Sequence, residues 1–249
     1  MRDLTYPPVI VAARTAFRLL DVRFDLRGTE HVPRSGGAVL AFNHVSYVDF
    51  VFGGYAALPS RRLVRFMAKR ELFAHRLTGP LMRSLHHIEV DRTDGRASYE
   101  LARRYLAAGE VVGVFPEATI SRSFELKEFK TGATRLAADG GVPLVPAVLW
   151  GTQRMLTKGH PRDFSRGRAI AITVGEPLHP SGVDPVAETA ELRKRMAALL
   201  DESIRRYPER PPGAWWLPDS YGGSAPTPQR AAQLDAEEQA ARRSRRRDG

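Results

Sequence analysis

Short apolar runs alternate with stretches of helical period along most of this chain. Gly37-Ala38-Val39-Leu40-Ala41-Phe42 is continuously apolar and bounded by turn residues, the pattern of a short buried strand. Val111 to Phe115, Leu144 to Trp150 and Ala169 to Val174 repeat that pattern, and His87 to Asp91 alternates like a strand that delivers Arg92 at its end. Between these runs the spacing predicts helices. Phe50 to Leu58 is stopped by Pro59, and Glu71 to Leu85 carries an apolar face of Leu72, Phe73, Leu77 and Leu81, with a kink at Gly79-Pro80. Thr93 or Asp94 opens a helix through Ala108, Thr131 to Asp139 forms another, and Asp184-Pro185 opens a longer one carrying Leu192, Met196, Leu199, Leu200 and Ile204. Strands alternating with helices predict a single α/β layered domain whose largely parallel sheet is flanked by helices.

The two ends read differently from the middle. Residues 7–20 suit a short helix opened by prolines, with Arg14 and Arg18 four apart on one face. A packing helix and an interfacial anchor both fit that pattern. After Pro208 comes an aromatic, proline-rich stretch containing Trp215-Trp216. Beyond Ser224 the chain is polar and ends in Arg242-Arg243-Ser244-Arg245-Arg246-Arg247, the composition of a flexible basic tail. The expected division is therefore residues 1–28 as an N-terminal amphipathic segment, 29–207 as the main domain, and 208–249 as extension and tail.

Composition narrows the function classes. The chain has 249 residues, 43% hydrophobic and 27% charged, which is the balance of a globular protein. The absence of cysteine excludes disulfides, thiolate metal sites and a cysteine nucleophile. A formal net charge of +10 favours an anionic partner: nucleic acid, an anionic membrane face or a phosphorylated small molecule. The first residues lack a basic lead into a long apolar core, so no signal peptide is expected, and no apolar run reaches the 18 or so residues of a membrane span. Membrane contact, if made, is then peripheral.

The stretch richest in candidate chemistry is Asn43-His44-Val45-Ser46-Tyr47-Val48-Asp49. His44 falls where a strand ends and Asp49 about one turn into the next element. A loop reversing between them brings the carboxylate onto Nδ1 and leaves Nε2 to take a proton from a substrate hydroxyl. That is a base with its orienting group and no protein nucleophile, and Ser46 is expected to shape the turn. The adjacent His86 and His87 point to opposite faces of a strand, so a shared metal is not expected.

Four blocks, in order, resemble the lysophospholipid and glycerol-phosphate acyltransferase family across roughly residues 30–180. They are Asn43 to Asp49, similar to N-H-x-S-x-x-D; Ile88-Glu89-Val90-Asp91-Arg92; Val114-Phe115-Pro116-Glu117-Ala118-Thr119, similar to F-P-E-G-T-R-S; and Val142 to Ala147. The resemblance implies His44 as general base oriented by Asp49, with Asn43, Ser46, Arg92, Glu117 and Thr119 on the substrate side, and Arg122 and Lys130 join them as cationic candidates outside the family's pattern. Arg92 is the first choice for the acceptor's phosphate, because a guanidinium binds two phosphate oxygens. Glu117 either bonds an acceptor hydroxyl or holds a neighbouring arginine. The third block departs from the family at Ala118, where glycine is usual, and at Ile120, where the usual arginine holds phosphate. That arginine's role is not carried over. Arg122 and Lys130 are each read either as its replacement or as solvated cations, and Lys127 as a surface cation.

The activity so implied moves a fatty acyl group from acyl-CoA or acyl-carrier protein to the free hydroxyl of 1-acylglycerol 3-phosphate, giving phosphatidate. No metal and no bound cofactor are expected. The partners are the two substrates and the anionic membrane surface at the cytoplasmic face, not nucleic acid. Alternatives are another acceptor (glycerol 3-phosphate, another lysophospholipid or a glycolipid) and, from a different class, a non-catalytic basic module that binds membrane or nucleic acid.

Overall fold

Ala38 to Phe42 is buried at every position, and the molecule is assembled around it. The computed structural model describes residues 3–91 and 95–247. In chain order the elements are α1 (Tyr6–Leu19), β1 (Arg23–Arg27), β2 (Ala38–Phe42), α2 (Asp49–Ala56), β3 (Val64–Lys69), α3 (Arg70–Ala74), α4 (Thr78–Ser84) and β4 (Ile88–Val90). They continue with α5 (Arg96–Ala107), β5 (Val111–Val114), α6 (Gly132–Gly140), β6 (Leu144–Trp150), β7 (Ala169–Val174), α7 (Pro185–Arg206) and α8 (Pro228–Arg247).

The seven strands form one sheet in the order β1-β7-β6-β2-β5-β3-β4. Every pairing is parallel except β6 with β7. A parallel sheet buries both faces, which is why its strands are continuous apolar runs. Residues alternate accordingly along β2: Val39 and Ala41 join a core with Leu106, Leu136 and Met196, whereas Ala38, Leu40 and Phe42 join one with Phe17 and Phe52. Helices α5, α6 and α7 thus cover one face, and α1 with α2 covers the other. This is the layered α/β domain expected from the pattern.

Local differences have physical reasons. The helix expected over 71–85 is two helices, with the break at His75 to Leu77. Pro80 sits in the first turn of α4, where a missing N–H costs nothing, so it follows a break and does not kink a continuous helix. The expected capping residues Thr93 and Asp94 lie outside the described residues. Asp184 caps α7 through bonds from the Val186 and Ala187 N–H groups. Helix α1 buries Phe17, and Tyr6 donates to the Val64 carbonyl at 2.6 Å, so α1 packs on the domain.

The C-terminal stretch is more ordered than its composition suggests. Trp216, Leu217 and Ala225 are buried in the same core as α7. The polar tail read as flexible forms α8, which touches the domain through a stripe of Ala231, Leu234, Asp235 and Glu238. Charge pattern alone misses this, because the docking partners lie about 80–115 residues earlier in the chain.

Candidate active site

The C-terminal end of β2 delivers Asn43 and His44. Asn43 acts as a side-chain substitute for one more strand residue: Nδ2 donates to the Leu149 carbonyl at 3.0 Å and Oδ1 accepts from the Leu149 N–H at 2.7 Å. It is fully buried and anchors the loop to β6. The chain then reverses. Tyr47 N–H and Ser46 Oγ both donate to the Leu156 carbonyl, at 3.0 and 2.6 Å, and Thr157 Oγ1 donates to the Val45 carbonyl at 2.7 Å. Ser46 therefore shapes the turn.

Asp49 is the first residue of α2 and is 0% exposed. Its Oδ2 accepts from the Val45 and Ser46 N–H groups, both at 2.7 Å, and lies 2.9 Å from His44 Nδ1. Its Oδ1 accepts from Thr152 Oγ1 at 2.6 Å. Four donors and the N-terminal end of a helix thus converge on one carboxylate, which locks its orientation and that of the imidazole. One face of the His44 ring is backed by Phe115, stacked at 4.3 Å between centroids. Phe66 stacks behind Phe115 at 5.8 Å. Gly113 makes room for this stack, since a Cβ there would come within 2.6 Å of the Phe66 ring. With Nδ1 engaged by Asp49, Nε2 is the ring nitrogen left for a substrate.

Glu117 is buried beside this pair. Its Oε1 accepts from the His44 N–H at 2.9 Å and its Oε2 from the Lys127 N–H at 3.1 Å. Burial pushes its carboxyl up to about 8, against the opposing pull of the two N–H groups, and the Asp49 charge adds to the rise. Glu117 thus clips the backbone of the 117–127 loop to that of His44. Ser121 N–H adds a second tie, to the His44 carbonyl at 2.7 Å. Ala118 occupies a left-handed conformation, φ 59°, within this loop.

The remaining sequence candidates divide. Thr119 Oγ1 accepts from Lys158 Nζ at 3.0 Å. Arg122 is engaged by two carboxylates of α8, Asp235 at 3.1 Å and Glu238 at 2.8 Å. Lys127, read from sequence as a surface cation, pairs with Asp235 at 2.6 Å. Lys130 is exposed, and Ile120 is buried in the core. Arg92 lies outside the described residues. Sequence reasoning did not single out Phe115 as a ring support, Thr152 as the second support of Asp49, or Lys158 as a neighbour of Thr119. Each comes from a different segment and carries no local signal.

An apolar groove opens between α1 and α2. Phe66 and Phe50 line it, along with Phe17, Tyr55 and Leu85, and Phe66 connects it by ring contact to Phe115 and so to His44. His87 closes one wall. Burial and the Arg65 charge hold its imidazole down at about 4. Among the described residues no group of three or more histidines and carboxylates is arranged to hold a metal ion.

Comparison with known proteins follows the same lines. A family model described as Acyltransferase matches residues 23–150. The 1-acyl-sn-glycerol-3-phosphate acyltransferase of Bacillus subtilis (strain 168) is 33% identical over 199 residues, 76% of this chain and 92% of that protein. A chloroplastic 1-acyl-sn-glycerol-3-phosphate acyltransferase of Arabidopsis thaliana is 29% identical over 183 residues, 72% of this chain but 49% of that one, so the chain spans about half the plant relative's length. Among solved structures, the 1-acyl-sn-glycerophosphate acyltransferase PlsC from Thermotoga maritima superposes with a TM-score of 0.65 over 79% of this chain and 78% of that one. At 24% identity it shares the fold.

Proposed function

Because this chain belongs to the acyltransferase family, we propose that it transfers a fatty acyl group from a thioester, acyl-CoA or acyl-carrier protein, to the free hydroxyl of 1-acylglycerol 3-phosphate. The observation that carries this reading is the His44–Asp49 pair, with Nδ1 at 2.9 Å from a buried carboxylate whose other acceptor positions are filled. In this reading His44 Nε2 takes the hydroxyl proton as the acceptor oxygen attacks the thioester carbonyl. The tetrahedral intermediate collapses, the carbon–sulfur bond breaks, and the imidazolium returns its proton to the leaving thiolate. The products are an ester and a free thiol. No acyl-enzyme, metal or bound cofactor takes part. Asp49 keeps the imidazole tautomer and stabilises its charge.

The apolar groove supports the choice of a fatty acyl substrate: it is lined almost wholly by hydrocarbon and aromatic surface, and its wall residue Phe66 stacks on Phe115, the ring that backs His44. The relatives, named as 1-acyl-sn-glycerol-3-phosphate acyltransferases, support lysophosphatidate as acceptor. Among the described residues no helix is long and apolar enough to cross a membrane. We infer action at the membrane surface, on its cytoplasmic side, where the positive charge meets anionic lipid.

The test is thiol release from palmitoyl-CoA by the purified chain, offered lysophosphatidate, glycerol 3-phosphate or lysophosphatidylcholine. Release with lysophosphatidate, reduced by about 10²–10⁴-fold in kcat for His44→Ala and clearly reduced for Asp49→Asn, is the expected result. Release with a different acceptor would reassign the acceptor and keep the mechanism. No acceptor-dependent release would overturn it.

A further inference from the structure

Helix α8 is held to the domain chiefly by charge. Its contact stripe contains only Ala231 and a half-buried Leu234 as apolar residues, and the rest is Asp235 and Glu238. These two carboxylates meet three cations gathered from different segments. Asp235 pairs with Lys127 at 2.6 Å, Arg122 at 3.1 Å and Lys158 at 3.2 Å; Glu238 pairs with Arg122 at 2.8 Å and Lys158 at 3.5 Å. All three cations belong to the loops that frame the His44 site. Lys158 bonds Thr119, and the Lys127 N–H bonds Glu117, whose other oxygen holds the His44 N–H.

Two carboxylates one helical turn apart present four oxygens to one arginine and two lysines. This is the donor set that a phosphate group satisfies alone, with less chain to immobilise. Among the described residues, three cations converge on these two carboxylates. The helix then runs into a sequence with five arginines in its last six positions, 242–247. Its acidic stripe is drawn to the domain, and its basic end is drawn to any anionic surface.

We propose that α8 is a tethered competitor for phosphate, in which Asp235 and Glu238 occupy a three-cation site that receives a phosphate-bearing ligand when an anionic surface draws the helix away. The ligand class is a phosphate, whether of a lipid headgroup or of a soluble molecule. The effect on acyl transfer rests on the function proposed above, but the exchange does not, and it is measured without acyl donor or acceptor.

The experiment titrates inorganic pyrophosphate into the full chain by calorimetry, for the wild type and for D235N/E238Q. The double substitution is expected to tighten binding by about tenfold, and adding R122Q/K158Q to abolish that gain. Hydrogen exchange of wild-type α8 is followed in parallel with phosphatidylglycerol vesicles, phosphatidylcholine vesicles and pyrophosphate alone. Loss of α8 protection with phosphatidylglycerol only assigns the displacing anion to the membrane, and loss with pyrophosphate alone assigns it to soluble phosphate. Both support the proposal, and the wild-type arm decides if the double variant does not fold. Unchanged pyrophosphate affinity in a folded D235N/E238Q chain, tightening that survives removal of the cations, or α8 protection unmoved by every anion would overturn it.

Discussion

At the scale of the residue, the loop that clips onto His44 holds an alanine in a glycine's conformation. Ala118 at φ 59° carries the steric penalty of a Cβ in the left-handed region. Ala118→Gly is therefore expected to stabilise the fold by about 0.5–1 kcal/mol, read as a shift in the urea midpoint at unchanged slope. Its neighbour Glu117 makes stability depend on pH. Between the ordinary value of 4.5 and about 8 the folded chain holds a proton that the unfolded chain has lost. Stability thus falls as pH rises through that window and levels off above it. Urea unfolding at pH 5.5, 7 and 8.5 should show this slope in the wild type and a flatter one in Glu117→Gln. The His44–Asp49 geometry is legible in sequence because its parts lie within seven residues and end in an acidic helix start. The actual work of Glu117 is not legible, since its two partners are backbone N–H groups whose positions depend on how two distant loops meet.

At the scale of the element, the sheet supports the site through one missing side chain. Gly113 in β5 lets the Phe66 ring lie where a Cβ would come within 2.6 Å, and Phe66 in turn backs Phe115 and the imidazole. Gly113→Ala should cost about 1–3 kcal/mol by overpacking and lower kcat as well as raise KM, because the displaced Phe66 both backs the ring stack behind the base and lines the groove. Thermal unfolding and steady-state kinetics on the same variant check both. The strands were legible as apolar runs because a parallel sheet buries both faces of each. The division of 71–85 into α3 and α4 was not, because Pro80 fits a first turn as well as a kink, and only the chain's path around Gly79 decides. That glycine lies against the Phe73 carbonyl, where a Cβ would come within 2.2 Å.

At the scale of the whole molecule, two groups of large exposed apolar residues flank the groove, while others, such as Val183 and Val186, stand apart from it. Leu4, Val11 and Leu19 stand out on or beside α1, and Leu72, Leu77 and Leu81 on the α3–α4 hairpin. Both elements border the apolar groove, through α1 itself and through Leu85 just after α4. A surface built this way suits the headgroup region of a bilayer. Leu77, 81% exposed, is expected to tolerate Leu77→Glu with a change in stability within about 0.5 kcal/mol, while binding to phosphatidylglycerol vesicles weakens several-fold in a sedimentation assay. Unchanged sedimentation would move the membrane face elsewhere.

The order of the strands also sets a timetable. Strand β1 lies at the sheet's edge and its one neighbour is β7, whose residues are made some 145 positions later. At ordinary rates of translation this is a wait on the order of ten seconds. During that interval Phe17 and Phe24, which end up stacked on Phe52 and Tyr55, have the rest of their wall still unmade. A nascent chain in this state carries the apolar face of α1 only partly covered, so that face is open to lipid or to a chaperone before the fold is complete.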